Sequence, residues 1–240
     1  MKMRLRETLR EGTVAIGSFL YPRRCHICGV TLDTASEYIC PLCESRLPRT
    51  YYHRRDMNPM EQRFAGLFPF EHASGHFFYS SGSEFSSLVQ DFKYRKFRGL
   101  ARHLGKLMAR ELIITPFLAD IDAIIPVPMH FLKKAKRGYN QTEEIAAGIS
   151  EETGIPVYTN LKASKPHSSQ THLSPERRRQ NTKDIFTVSR PEQLTGAGIR
   201  HILLLDDICT TGATLTSAST AIHASLPDIR LSLLTLGVTF

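Results

Sequence analysis

The segment HILLLDDICTTGATL, residues 201–215, constrains the fold of this 240-residue chain more than any other. The apolar run Ile202–Leu205 predicts a buried strand, two acids and a loop rich in threonine and glycine follow it, and Thr214–Ser225 has the pattern of a helix. This order is typical of an open parallel sheet covered by helices on both faces. In such sheets ligands bind beyond the carboxyl ends of the strands, where this loop lies.

The rest of the chain supports the same fold class. Strand-like and helix-like segments alternate, and 41 % hydrophobic with 22 % charged residues is the composition of a globular protein, which excludes wholesale disorder and a disulfide miniprotein. We therefore expect an α/β fold with an open, mostly parallel sheet. The further predicted strands are His76–Ser80 at an edge, Ile121–Val127, Ile155–Tyr158, Asp184–Val188 and Ile229–Val238, and the further helices are Ser83–Phe92, an amphipathic segment around residues 97–112, and Gln141–Glu152.

The loop after the acids has the composition of a phosphate site. Thr210, Thr211 and Thr214 offer hydroxyl groups, Gly212 permits a sharp bend, and the first amides of the following helix point at one spot. Two carboxylates would repel a phosphate in direct contact, so ribose hydroxyls, or a Mg²⁺ ion, are the better targets for Asp206 and Asp207. Together these features describe a site for a ribose 5-phosphate. A purely structural alternative, in which Asp206 caps the helix and the threonines satisfy a turn, stays open at this stage.

The cysteines indicate a metal site near the N-terminus. Cys25, Cys28, Cys40 and Cys43 form two CxxC pairs separated by eleven residues, which is the spacing of a tetrahedral zinc site. Four thiolates fill the coordination shell, so the zinc is expected to be structural. The segment is too small to fold without the metal. The predicted domains are an N-terminal helix over residues 1–20, a zinc ribbon over 21–63 and a ligand-binding domain over 64–240.

The remaining sequence signals concern compartment and charge. The N-terminal segment fits a secretory signal poorly, and the chain has no apolar run of about 18 residues, so we expect a cytoplasmic protein without a membrane span. The net charge is +8, and its excess lies in two segments free of acids, residues 92–110 and 133–137. The first predicts a basic helix that could contact single-stranded nucleic acid through its cations and through Tyr94 and Phe97, or could simply be a solvated face.

Residues 201–215 resemble the fingerprint of the type I phosphoribosyltransferases. The resemblance implies that Asp206 and Asp207 hold the ribose 2′ and 3′ hydroxyls of phosphoribosyl pyrophosphate, and that the loop binds its 5′-phosphate through Thr210, Thr211, Gly212, Ala213 and Thr214. Two further blocks, residues 124–146 and 168–188, together with the cysteine-rich start, resemble the ComF family, which is associated with bacterial DNA uptake. Cys209 stands at a variable position of the loop.

The resemblance also assigns roles to two basic loops. The loop Met129–Asn140 corresponds to the pyrophosphate loop, so Arg137 is a candidate for stabilising the leaving pyrophosphate and Gly138 for its close approach, with further charge from Lys133, Lys134 and Lys136. The segment Ser168–Lys183 resembles the loop that closes over the reacting centre. Its best matches to the family pattern are Gln170, Arg177 and Asn181.

Two functional readings follow from the sequence. The first is a protein of the phosphoribosyltransferase fold that binds phosphoribosyl pyrophosphate and Mg²⁺ and, if active, transfers the phosphoribosyl group to an acceptor. The second is a non-catalytic accessory protein of competence that binds single-stranded DNA and, as the resemblance implies, a helicase-like partner.

Overall fold

The computed structural model of the chain describes residues 22–129, 134, 135, 137–163 and 185–239. These residues form two compact units that divide between Leu47 and Pro48. Residues 48–63, which the sequence analysis placed in the zinc ribbon, lie in the second unit because their backbone pairs with its edge: Arg49 forms an antiparallel bridge with Phe77. The expected N-terminal helix over residues 1–20 lies outside the described part of the chain.

The first unit is built on a tight turn at each cysteine pair. The backbone N–H of Cys25 donates to the carbonyl of Val30, at 2.8 Å, and Gly29 adopts the left-handed conformation that this turn requires, with φ of 74°. The second pair flanks the start of a short helix, α1 (Pro41–Ser45), which begins with proline where no backbone donor is needed.

The second unit alternates helices and strands. A 3₁₀ turn at Tyr52–Arg54 precedes α2 (Pro59–Phe64), and β1 (Ala73–Phe78) is followed by α3 (Glu84–Tyr94) and α4 (Arg98–Leu112). After a second 3₁₀ turn at Pro116–Leu118 come β2 (Ala123–Pro126), α5 (Gln141–Thr153) and β3 (Leu161–Ala163). The chain then forms β4 (Phe186–Val188), α6 (Pro191–Gly196), β5 (His201–Cys209), α7 (Ala213–Ser225) and β6 (Arg230–Val238).

The main sheet has the strand order β1-β6-β5-β2, and all three pairings are parallel. Residues 201–205 of the central strand β5 are all buried, as expected for a strand covered on both faces. Beyond β2, Val157 forms a single parallel bridge with Ile124, so the predicted strand Ile155–Tyr158 is reduced to one bridged position. β3 and β4 form a separate antiparallel ribbon. The predicted α/β class with an open, mostly parallel sheet is confirmed.

Two glycines set the packing of α4 against α5. A Cβ atom at Gly105 would lie 2.2 Å from the carbonyl oxygen of Ile145, and one at Gly148 would lie 2.1 Å from the carbonyl oxygen of Arg102. The two helix backbones therefore touch at both points, with no room for a side chain between them. This contact brings the polar side chains that flank it within reach of one another.

The predicted basic helix differs from the observed structure at one end. Residues 92–110 are divided between α3 and α4, because Lys96 adopts a left-handed conformation, with φ of 64°, and interrupts the helix. Phe97, which the periodicity placed in the core, instead precedes α4 at its N-cap position and is 42 % exposed. Sequence periodicity extended across this turn because the residues on both sides of it follow the helical pattern.

Candidate functional site

The carboxyl ends of β2 and β5 lie side by side and define one edge of the sheet. Pro126 is paired with Leu205, and the backbone N–H of Val127 donates to the Leu205 carbonyl at 2.8 Å. The loop that follows β2 and the loop that follows β5 therefore begin next to each other. This is the position at which open parallel sheets bind ligands.

The two aspartates belong to the end of β5 itself. The strand extends through Asp206 and Asp207 to Cys209, beyond the predicted Ile202–Leu205. The N–H of Asp207 donates to Asp206 Oδ1 at 2.8 Å, and the N–H of Ile208 donates to Asp207 Oδ1 at 2.6 Å, so both carboxylates are held in place by the backbone. Burial and the neighbouring charge of Asp207 raise the pKa of Asp206 to about 7.

A lysine that the sequence analysis did not single out as a site residue contacts this acidic pair. Lys93, in the last turn of α3, places its Nζ atom 2.7 Å from Asp207 Oδ2. The Lys93 and Asp207 side chains are 17 % and 18 % exposed, so this ion pair is largely shielded from water. Only the folded chain brings the two residues together, since more than a hundred positions separate them in sequence.

The threonine-rich loop is anchored by Arg63, at the end of α2. Its guanidinium donates to the carbonyl of Thr210 at 2.6 Å and to the carbonyl of Thr239 at 2.7 Å, next to the buried Cys209 thiol. Burial raises the pKa of that thiol, so Cys209 is not a poised nucleophile. Thr210 and Thr211 remain exposed, and the Thr211 hydroxyl oxygen accepts the backbone N–H of Ala213 at 3.4 Å.

The turn into α7 depends on Gly212, which occupies the N-cap position with φ of 81°. No side-chain hydrogen bond caps this helix, and the Asp206 carboxylate instead accepts the N–H of Asp207. The part of the structural alternative in which Asp206 caps the helix is therefore wrong, whereas its other part, a threonine that satisfies the turn, is met by Thr211. The N–H of Ala213 donates to Thr211 Oγ1 at 3.4 Å, whereas the N–H of Thr214 has no carbonyl one turn earlier to accept it, which makes the Thr214 amide a suitable donor to a phosphate.

The loop after β2 is described in part. Arg137 donates to Gln141 Oε1 at 3.2 Å and its guanidinium lies 5.3 Å from the centre of the Tyr94 ring. Gly138 has φ of 85°, and a Cβ atom there would meet no atom within 4 Å, so this part of the loop is open. Lys134 forms an exposed ion pair with Glu143 at 3.2 Å. Lys133, Lys136 and the whole segment Ser168–Lys183, with Gln170, Arg177 and Asn181, lie outside the described residues.

The loop is also fixed to the α3–α4 junction. The Tyr139 hydroxyl donates to the carbonyl of Phe92, and Arg98 donates to the carbonyl of Gly138 at 2.6 Å. The Arg98 guanidinium lies 4.8 Å from the centre of the Tyr139 ring. The loop with Arg137, the end of α3 with Lys93, and the acidic pair thus form one connected edge.

Acids on α5 pair with the basic stripe of α4. Arg102 contacts Glu144 at 2.9 Å and Glu151 at 3.1 Å, and Lys106 contacts Glu151 at 2.7 Å. Arg110 contacts Glu152 at 2.8 Å. The four-residue spacing of the stripe therefore matches a facing acidic row, and these three cations are already paired.

The four paired cysteines converge in the first unit. The sulfurs of Cys25, Cys28, Cys40 and Cys43 all lie within 4.8 Å of one another. The sulfurs of Cys28 and Cys40 are 3.8 Å apart, which matches the separation of about 3.8 Å expected for ligands on a tetrahedral zinc with bonds of about 2.3 Å. Burial opposes ionisation of Cys25, but surrounding hydrogen-bond donors outweigh it and lower its pKa to about 6. The donor set fits zinc.

The described residues define an α/β protein with an open parallel sheet, in which an inner strand carries two aspartates near its end and is followed by a threonine-rich loop and a helix. Within that class the chain is similar to Competence protein F of Haemophilus influenzae, at 35 % identity over 140 residues that cover 56 % of this chain and 59 % of that protein. It is also similar to DNA utilization protein YhgH of Salmonella typhi, at 27 % identity over 137 residues that cover 54 % and 57 % of the two chains. These similarities support a ComF-family protein, as the sequence motifs predicted.

The similarity covers only part of each relative. The chain spans less than two thirds of the length of these relatives, and no protein-family model matches it. Two solved structures overlap with part of the chain. The allosteric regulatory enzyme of purine biosynthesis has a TM-score of 0.36 and 19 % identity, over 57 % of this chain and 25 % of that one. The glutamine phosphoribosylpyrophosphate amidotransferase of B. subtilis has a TM-score of 0.27 and 14 % identity, over 55 % of this chain and 34 % of that one. Within the described residues, none of the helices has the length and apolar character that a membrane crossing needs.

Proposed function

We propose that the chain binds phosphoribosyl pyrophosphate together with Mg²⁺ at the carboxyl edge of its sheet. The observation that carries this proposal is the end of β5, where two backbone-oriented carboxylates lie directly before a glycine-started helix and exposed threonine hydroxyls. Asp206 and Asp207 would accept the ribose hydroxyls. The 5′-phosphate would take its hydrogen bonds from Thr210, Thr211 and Thr214 and from the amides of residues 212–214.

The basic loop after β2 would bind the pyrophosphate group of the ligand. Arg137 lies four residues before the buried Gln141, to which it donates, and Gly138 leaves open space beside it. A Mg²⁺ ion bound with the ligand would supply charge neutralisation to the pyrophosphate. Arg137 would stabilise the same charge from the protein side.

If the protein turns over, the reaction would be a displacement at C1 of the ribose. The bond from C1 to the pyrophosphate oxygen breaks and its electron pair leaves with the pyrophosphate, while a lone pair of the acceptor forms the new bond to C1. Positioning and charge stabilisation are the main contributions such a reaction needs from the protein.

Calorimetric titration with phosphoribosyl pyrophosphate and Mg²⁺ tests the binding proposal. We expect saturable binding to the wild-type protein and loss of at least about tenfold in affinity for Asp206→Asn and for Asp207→Asn, since each removes a charged hydrogen-bond acceptor. Asp228→Asn, at an exposed aspartate after α7, is the matched control and should bind as the wild type does. Absence of heat for the wild type, beside a positive reaction for a known phosphoribosyltransferase, would refute the proposal.

A second candidate function, contact with single-stranded DNA, is favoured by the α3–α4 junction. The junction surface, defined as residues 94–98, exposes Tyr94 to 69 %, Phe97 to 42 % and the side chain of Arg95 to 74 %. Exposed aromatic rings between cations are the elements with which proteins stack single-stranded bases and follow their phosphates. Arg95 itself pairs with Asp91 at 3.1 Å, so the exposed aromatic rings distinguish the junction surface from the α4 stripe and make it the proposed nucleic-acid contact.

Binding of a fluorescent single-stranded oligonucleotide at several salt concentrations tests this second candidate. Tyr94→Ala and Arg95→Ala should each weaken binding, and Arg95→Ala should also reduce its salt dependence. Arg110→Ala, which removes a paired cation of the stripe, is the control and should change binding little. Equal losses in all three variants would contradict the junction surface as the contact.

We further propose that the cysteine unit holds structural zinc in a reducing compartment and offers a surface to a helicase-like partner of DNA uptake. The convergence of four free thiols supports the first part. The second part rests on the resemblance to the ComF family, and co-purification of the partner with the intact protein but not with a Cys25→Ser variant would test it.

A further inference from the structure

The ion pair between Lys93 and Asp207 places a lysine side chain inside the proposed ligand site. Its atoms are 2.7 Å apart, and both side chains are less than one fifth exposed. The same two carboxyl groups would otherwise form a compact pair of oxygen donors, which is the ligand type that Mg²⁺ and Mn²⁺ prefer. Lys93 offsets the charge of Asp207 at contact distance.

Lys93 is held in this position by its surroundings. The carbonyl of the preceding residue, Phe92, accepts the hydroxyl of the buried Tyr139, which ties the last turn of α3 to the loop after β2. Two residues before it, Asp91 contacts Arg95 at 3.1 Å. Withdrawal of Lys93 would leave Asp207 largely buried without its cation, and an uncompensated charge of that kind is unfavourable.

We propose that Lys93 is a specificity-determining residue that keeps the acidic pair free of divalent cations until the ligand arrives. With Lys93 in contact, Asp206 and Asp207 act as hydrogen-bond acceptors for a vicinal diol and not as a metal site. The divalent cation then enters only on the phosphates of the ligand. The identity of the diol as ribose rests on the proposed function, whereas the exclusion of free divalent cations follows from the ion pair itself.

Titration of the zinc-loaded protein with Mn²⁺ alone, followed by the paramagnetic resonance of free Mn²⁺, tests this proposal. The wild type should show no stoichiometric Mn²⁺ site. Lys93→Met should gain one, with an affinity for Mn²⁺ roughly tenfold or more above any residual binding to the wild type. Lys93→Arg retains the charge and should behave as the wild type. Lys162→Met, at an exposed lysine of β3, is the control for a general change in net charge.

The outcomes separate this proposal from the proposed function. Equal Mn²⁺ affinity in Lys93→Met and the wild type would overturn the role of Lys93, whatever phosphoribosyl pyrophosphate does. A triple variant that adds Asp206→Asn and Asp207→Asn to Lys93→Met must lose the new Mn²⁺ site, and retention of the site there would also overturn the proposal. Failure of the wild type to bind phosphoribosyl pyrophosphate, with the Mn²⁺ results as expected, would refute only the proposed function. Thermal unfolding of each variant verifies that it is folded.

Discussion

Arg63 donates a hydrogen bond of 2.6 Å to the carbonyl of Thr210, which links the end of α2 to the loop that follows the acidic pair. The same guanidinium reaches the carbonyl of Thr239, just after β6. The Arg63 side chain thus connects the segment that follows β5 with the segment that follows the adjacent strand β6. The phosphate-binding shape proposed for residues 210–214 therefore depends on a residue that precedes β1.

Replacement of Arg63 by methionine should loosen the loop. We expect a loss of about 1–3 kcal/mol in the free energy of unfolding, because two carbonyls lose a charged donor, and a rise of roughly tenfold in the Kd for phosphoribosyl pyrophosphate. Urea unfolding and calorimetry measure the two effects. Arg200→Met, at an exposed arginine, should leave both unchanged, and an unaltered Kd in Arg63→Met would contradict the positioning role.

Replacement of Gly212 by alanine should destabilise the protein in two ways. The residue needs a positive φ, and its new Cβ would lie 2.7 Å from Cε1 of the buried Phe64. We expect the free energy of unfolding to fall by about 1 kcal/mol because of the backbone conformation, and by a further 1–3 kcal/mol or so because of overpacking. Gly198→Ala is the matched control, since Gly198 also has a positive φ, of 74°, but a Cβ there meets nothing within 4 Å. Equal losses of unfolding free energy in the two variants, measured by urea unfolding, would show that Phe64 moves aside for the new Cβ without a loss of stability.

Removal of any one paired cysteine should release the proposed zinc. Protein purified without chelator should contain about one zinc per chain, and Cys25→Ser should contain much less because three thiolates leave the tetrahedral shell incomplete. Cys209→Ser, at a buried cysteine outside the cluster, should retain the full content. Metal analysis by mass spectrometry measures these values, and zinc below half an equivalent in the wild type would contradict a structural zinc site.

Glu111 should contribute to stability in a pH-dependent way. Burial opposes its ionisation, but His76, whose Nε2 lies 3.4 Å from Oε2, and Arg49, which donates to Oε1 at 2.7 Å, outweigh that effect and lower its pKa to about 2. A carboxyl group with a depressed pKa stabilises the fold above its unfolded pKa of about 4.5, and this contribution is lost as the pH falls toward 2. The stability difference between the wild type and Glu111→Gln should therefore be constant from pH 7 to about pH 5 and shrink below it. Glu192→Gln, at an exposed position in α6, should show no such trend in urea unfolding.

The sequence predicted those parts of the site that are continuous in the chain. Residues 201–215 identify the strand, the acids, the loop and the helix, because each is encoded by its immediate neighbours. Lys93 and Arg63 were not predicted as site residues, since their partners at Asp207 and Thr210 lie more than a hundred positions away. No local pattern distinguishes such residues from other surface cations.

The basic stripe shows the opposite limit of sequence reasoning. Its four-residue spacing was recognised, but the spacing alone left nucleic-acid contact and a solvated face equally consistent with the pattern. The structure adds a third arrangement, in which the acids of α5 meet Arg102, Lys106 and Arg110. Helical periodicity reports which face a residue lies on, and it does not report which helix that face meets.

The contact of α4 with α5 through Gly105 and Gly148 has a consequence for the evolution of this surface. The helices are joined backbone to backbone, so the ion pairs beside the glycines are a result of the packing and not its cause. Neutral substitutions at Glu144, Glu151 and Glu152 would uncover three cations while the helices kept their positions. The acidic row thus neutralises the basic stripe. Substitution of a few of these glutamates would turn the helix pair into a positively charged surface that attracts polyanions.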